Sequence, residues 1–173
     1  MLIKLTKLVI EHAHYIRERD PACKSFMEAL LLYPSVRVLI RYRIAHKLYE
    51  KGLRFIPRAI MQRGRKTTGI EIHPGAKIGK HLFVDHGMGI VIGETAEIGD
   101  NVTMYHGVTL GGTGNEADHK RHPTIGNDVI IGAGATILGP INIGDGAKIG
   151  AGTIVLHDVE PGRTAVGAKA RII

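Results

Sequence analysis

Along residues 69–173 an aliphatic side chain returns every six positions. Ile72, Ile78 and Val84 set the beat; it slips by two and resumes at Ile92, Ile98, Met104 and Leu110. It breaks a second time, then runs through Ile125, Ile131, Ile137, Ile143 and Ile149 to Val155. Neither the 3.6-residue period of a helix nor the 2.0-residue period of a strand gives this spacing. The hexapeptide repeat of a parallel β-helix does, because each hexad supplies one short strand and one turn, and stacked coils bury a column of aliphatics. The first 68 residues follow helical spacing instead. Leu2, Leu5, Leu8, Val9 and His12 recur on one face, Arg19-Asp20-Pro21 punctuates, and Ala22–Leu32 resumes. Pro34 breaks again, Val36, Leu39, Ile40, Ile44 and Leu48 make a second stripe, and Gly52 suits a helix C-terminus before a last short helix over Phe55–Met61. The predicted fold is mainly β: a parallel β-helix over 69–173, preceded by a small α-helical region over 1–68.

The second interruption of the beat is the informative one. Ile125 stands fifteen positions after Leu110 where a step of six would do, so a loop drawn from residues 111–124 (GGTGNEADHKRHPT) is ejected from the solenoid. Loops of this kind on a regular scaffold are where function concentrates. Composition sharpens the picture. Of 23 glycines, 21 fall in 69–173, and aromatic residues are only 5% of the chain. Glycine at tight corners and Ile or Val in repeated layers account for both. Cys23 is the lone cysteine, excluding an intramolecular disulfide or a cysteine-based zinc site. No apolar run approaches the ~20 residues of a membrane span, so a soluble, cytoplasmic protein is expected.

The net charge of +7 is concentrated: residues 37–66 carry ten Lys or Arg against Glu50 alone. No nucleic-acid motif accompanies them, and a basic helical surface facing solvent, another subunit or an anionic ligand is the better reading.

The stretch DHGMGIVIGETAEIGDNVTMYHGVTLGGTG (85–114), followed by Arg121-His122-Pro123, resembles the serine O-acetyltransferases; so do IGAGA and AKIGAGT within 131–154, and Arg19-Asp20-Pro21-Ala22 and Ile72-His73-Pro74 upstream. The resemblance implies a left-handed coil, an exception to the right-handed crossover rule. It further implies trimers with active sites between neighbouring coils, sometimes paired into hexamers, and transfer of acetyl from acetyl-CoA to the hydroxyl of L-serine, giving O-acetylserine for cysteine synthesis. No metal is expected.

On this resemblance His86 is the general base that a poorly nucleophilic hydroxyl requires. His122 orients the hydroxyl or shares the proton, and Glu71, where the family often carries Asp, is the carboxylate behind His86. Asp20 and Asp85 would hold the serine ammonium and Arg121 its carboxylate. Asp20, preceding Pro21, also suits a helix N-cap, and Glu71 a structural place at the helix-to-repeat junction. Acetyl-CoA would lie along exposed strand backbone beside Gly112, Thr113, Ala133 and Ala151, with Lys148 near a phosphate. Rival readings are an acetyltransferase for a sugar or antibiotic hydroxyl, and a γ-type carbonic anhydrase using His81 and His86 as metal ligands. The helical region is about half that of longer family members, so pairing into hexamers is not expected. Ile173 matches the terminal residue with which family tails enter O-acetylserine sulfhydrylase, but on a tail that looks too short.

Overall fold

The computed structural model describes residues 2–114 and 120–168. Among these described residues four helices lead: α1 (Leu2–Arg19), α2 (Phe26–Leu32), α3 (Pro34–Glu50) and α4 (Phe55–Thr68). Fourteen short strands follow and wind through three parallel sheets. The first sheet stacks β1 (Glu71–Ile72), β4 (Val91–Ile92), β7 (Thr109–Gly111), β10 (Thr136–Leu138) and β13 (Ile154–Val155). The second stacks β2 (Lys77–Ile78), β5 (Glu97–Ile98), β8 (Thr124–Ile125) and β11 (Asn142–Ile143). The third stacks β3 (Phe83–Val84), β6 (Thr103–Met104), β9 (Ile130–Ile131), β12 (Lys148–Ile149) and β14 (Thr164–Ala165). Successive strands visit the sheets in turn, so the chain is a three-sided coil. Registers such as Ile72 on Ile92 and Ile78 on Ile98 keep like residues in layers.

Every aliphatic on the six-residue grid is buried, from Ile72 to Val155. A second inward column stands two residues before the first: Ile70, Ala76, Leu82, Ile90, Ala96, Val102, Val108, Val129, Ala135 and Ala147 are buried too. Its mixed sizes hide it from a period search.

The helices depart from the sequence reading in four places. α2 starts at Phe26, not Ala22, because Ser25 caps it: its Oγ accepts from Glu28 N at 3.1 Å while the Glu28 carboxylate accepts from Lys24 N at 2.8 Å. Asp20 is therefore no N-cap; its Oδ1 accepts from Ala22 N at 2.8 Å in a local turn. Pro34 opens α3, where its missing N–H is harmless. α4 continues past Met61 to Thr68, ending on Gly69 at φ 72°.

α3 closes the open end of the coil. β2 is the outermost strand of its sheet, and its unpaired backbone is met by side chains. Tyr42 Oη donates to Ala76 O at 2.5 Å and accepts from Ile78 N at 3.2 Å, while Arg43 donates to Ile78 O at 2.6 Å and to Gly79 O. This turns Val38, Leu39, Tyr42 and Ala45 inward and leaves Ile44, expected in the apolar stripe, 41% exposed. Phe83 points outward from β3 yet is buried by Ala13, Ile16, Cys23 and Ala29, which docks the α1–α2 turn against the third sheet.

Candidate active site on two edges of the coil

The edge joining the third sheet to the first carries one half of the predicted site. Backbone N–H groups of Gly107, Gly134 and Gly152 each donate at 2.8 Å to the carbonyls of Met88, His106 and Ala133. Met88, His106, Ala133 and Ala151 thus form one column. Asp85 keeps the ladder, its N–H donating to Met104 O at 3.0 Å, so the first coil's two extra residues at this corner are His86 and Gly87, and His86 is pushed outward. The two-residue slip in the sequence beat between Val84 and Ile92 marks this spot. His86 takes φ 59°, rare for a side chain other than glycine, and Gly87 follows at φ 81°. A Cβ on Gly87 would meet Ile70 Cδ1 at 2.6 Å, so the corner is tight below while the imidazole above it is 76% exposed. Asp85 Oδ1 lies 3.9 Å from His86 Nε2, and the His106 ring stands edge-on at 5.9 Å.

The edge from the first sheet to the second carries the other half. Here β7 ends at Gly111, Gly112 and Thr113 lead out into the ejected loop, and Lys120-Arg121-His122-Pro123 leads back into β8. The returning segment is fastened to the coil beneath by Thr95. Its Oγ1 accepts from Arg121 N at 3.0 Å and His122 N at 3.2 Å, and its carbonyl accepts from Lys120 Nζ at 2.7 Å. His122 is buried, with Nδ1 3.1 Å from Thr95 N and 2.8 Å from Thr95 Oγ1. Its ring lies flat on Gly93, where a Cβ would stand 2.1 Å from Nε2. Arg121 Nη2 reaches Glu94 Oε2 at 3.4 Å. Tyr49 of α3 donates to the other Glu94 oxygen at 2.6 Å, and chiefly this bond holds the Glu94 carboxyl below its ordinary range and raises the Tyr49 phenol. Burial lowers Lys120 against the opposing pull of Glu97.

The remaining residues are distributed as follows. Asp20 accepts from Tyr33 Oη as well as from Ala22 N, at the α1–α2 turn on the β3 side. Glu71, on β1, pairs with Arg65 of α4 at 3.1 Å and makes no hydrogen bond or ion pair to His86 among the described residues. Lys148 is exposed on β12, and Ala133 and Ala151 share the His86 edge. Asp85, His86, Ala133 and Ala151 are therefore gathered on one edge, and Gly112, Thr113, Arg121 and His122 on another. The whole first sheet separates them. His81, the rival metal partner of His86, sits on the third edge, its ring stacked on Tyr15 at 4.9 Å, so that pair does not converge. Gly93, Glu94, Thr95, Tyr49 and His106 were missed as individual residues. Glu94 and Thr95 stood in the GETA motif, but only contacts reveal what they hold.

A parallel coil of hexads with a loop ejected between two of its sheets is the architecture of the hexapeptide acyltransferases, and residues 122–157 match the family described as bacterial transferase hexapeptide (six repeats). The serine acetyltransferase of Helicobacter pylori strain 26695 is 59% identical over 158 residues, covering 91% of this chain and 92% of that protein. That of Bacillus subtilis strain 168 is 51% identical over 167 residues, 96% and 76% of the two chains. Among solved structures, Neisseria gonorrhoeae serine acetyltransferase in complex with serine superposes with a TM-score of 0.89 at 42% identity, covering 98% of this chain and 69% of that one. Isoform 3 from Entamoeba histolytica, in complex with cysteine, gives 0.93 at 39% identity; this chain spans 61% of its length. The chain belongs to the serine acetyltransferase family.

Proposed function

We propose that this protein transfers the acetyl group of acetyl-CoA to the hydroxyl of L-serine, giving O-acetylserine and CoA for cysteine synthesis. The supporting observation is the division of the candidate residues between two edges, one with an exposed imidazole and the other with a cation beside a buried imidazole. A second copy of the coil laid alongside would bring the His86 edge of one chain to the Arg121 edge of the next. We therefore read the assembly as a trimer of left-handed coils with shared sites, working in the cytoplasm; no helix among the described residues is long and apolar enough to cross a membrane.

In this reading His86 removes the serine hydroxyl proton as the oxygen attacks the acetyl carbonyl carbon. Collapse of the tetrahedral intermediate breaks the C–S bond, and the same imidazole returns the proton to the CoA sulfur. Asp20 and Asp85 receive the ammonium and Arg121 the carboxylate. Both Asp20 oxygens are engaged, by Tyr33 and Ala22, and Arg121 by Glu94, so each is held in place before substrate arrives. Glu71 stands behind His86 on the family resemblance alone; the role requires its half-exposed ion pair with Arg65 to yield, which costs little. Acetyl-CoA lies against Ala133 and Ala151 of one chain and Gly112 and Thr113 of its neighbour, with Lys148 near a phosphate. Docking of a sulfhydrylase through Ile173 concerns a position outside the described residues.

The test is an acceptor screen with acetyl-CoA, following thiol release. L-serine and close analogues are expected to support turnover. Equal or better turnover with sugars or hydroxylated antibiotics would overturn the assignment.

A further inference from the structure

We infer that Thr95 is a positioning residue that locks His122 as its Nε2–H tautomer, making it a fixed hydrogen-bond donor and leaving proton removal to His86. The role of the donor rests on the acetyl-transfer reading; the tautomer itself does not.

The proton count follows from the contacts. The backbone N–H of Thr95 can only donate, so Nδ1 of His122, 3.1 Å away, must accept and bears no proton. Thr95 Oγ1 spends its acceptor capacity on the N–H groups of Arg121 and His122, which leaves its own proton for Nδ1 at 2.8 Å. Two donors thus converge on one ring nitrogen, and the neutral ring carries its hydrogen on Nε2. Protonating Nδ1 would set its new N–H against the Thr95 N–H and break both bonds. Gly93 supplies the opposite wall: a Cβ there would be 2.0 Å from Cδ2, so the ring can neither be lifted nor turned without moving the coil.

A ring so held is a poor base, because the nitrogen with the lone pair is already occupied and the other lacks one. It is a good electrostatic partner, because a preset N–H needs no reorganisation when an oxygen nearby gains charge. His86 is the converse: exposed, and without a hydrogen bond that fixes its tautomer among the described residues. One residue, Thr95, accounts for the difference and also fixes the main chain of Arg121 and His122.

The tautomer is read directly by 15N NMR of histidine-labelled full-length protein, with His122→Gln identifying the signals. The expected pattern at neutral pH is a pyridine-type Nδ1 and a pyrrole-type Nε2. A pyrrole-type Nδ1, or averaging between tautomers, overturns the lock. In kinetics Thr95→Val, which keeps the shape and loses the hydroxyl, should lower kcat about tenfold with the acetyl-CoA KM nearly unchanged, and Thr95→Ser should restore kcat. A Thr95→Val enzyme as active as Thr95→Ser overturns the positioning role. Failure of the protein to acetylate serine would instead remove the acetyl-transfer reading while leaving the NMR result to stand or fall alone.

Discussion

The two candidate edges of the coil present the same side chain in opposite settings. His86 sits on a strained corner, 76% exposed, with a carboxylate 3.9 Å away and a second imidazole edge-on at 5.9 Å. His122 is buried, pressed on a glycine and bound at Nδ1 by two donors from one threonine. An imidazole that must pick up and release a proton benefits from mobility and access; one that must point a hydrogen in one direction benefits from being held. The difference lies in the layer beneath each ring. Beside His86 runs the column of Met88, His106, Ala133 and Ala151, small past the histidine and open, whereas against His122 the coil presents Gly93, Glu94 and Thr95.

The sharpest way to break this contrast is His86→Ala, which should cut kcat by roughly 10²–10⁴ with little change in substrate KM, as expected for loss of general-base catalysis. Near-normal kcat would pass the base to another residue. Next is Gly93→Ala, a one-carbon change whose Cβ drives the His122 ring off its seat. Displacement by about 1 Å is expected to lower kcat on the order of 10²-fold, with the loss read by steady-state kinetics and folding checked by circular dichroism. Glu71→Gln should lower kcat about tenfold or more if its carboxylate leaves Arg65 to support His86; a fall within about threefold would return Glu71 to a structural role. Arg121→Ala should raise the serine KM about tenfold while leaving that of acetyl-CoA near its original value, as loss of a charge-assisted grip on a carboxylate predicts.

The third edge offers a control. His12 of α1 is buried beside His81 and Arg43, with Tyr15 ring-on at 6.5 Å, and mainly its burial lowers its pKa to about 4. The unfolded chain, at 6.5, binds the proton more tightly. The stability contributed by neutral His12 is therefore fully present above pH 6.5 and is lost as pH falls from 6.5 toward 4, by about 3 kcal/mol in all. Thermal melts across that window should show the loss, and His12→Leu should flatten it without altering turnover at neutral pH.

Much of the fold could be read from residue spacing because a solenoid is a local structure. Each hexad repeats the demand of the one before, so Ile72 through Val155 declare themselves inward without knowledge of any distant residue. The helices were less legible where one short-range signal outweighed another. Ser25 and Glu28 together set the start of α2 more firmly than Asp20-Pro21, and the solvent face of α4 is filled by Arg63, Arg65 and Lys66, which support helix without any apolar signal.

What the sequence determined by itself was the coil, its two interruptions, and motifs specific enough to point to a family and to His86 and His122. What only the tertiary structure decided was where these residues stand and who holds them. Stacking brings Thr95 beneath His122 across 27 positions of chain, Tyr49 to Glu94 across 45, and Arg65 to Glu71 around a helix end. Those distances along the chain leave no periodic trace, because a hydrogen bond depends on which coil lies under which, and that register follows from the whole stack.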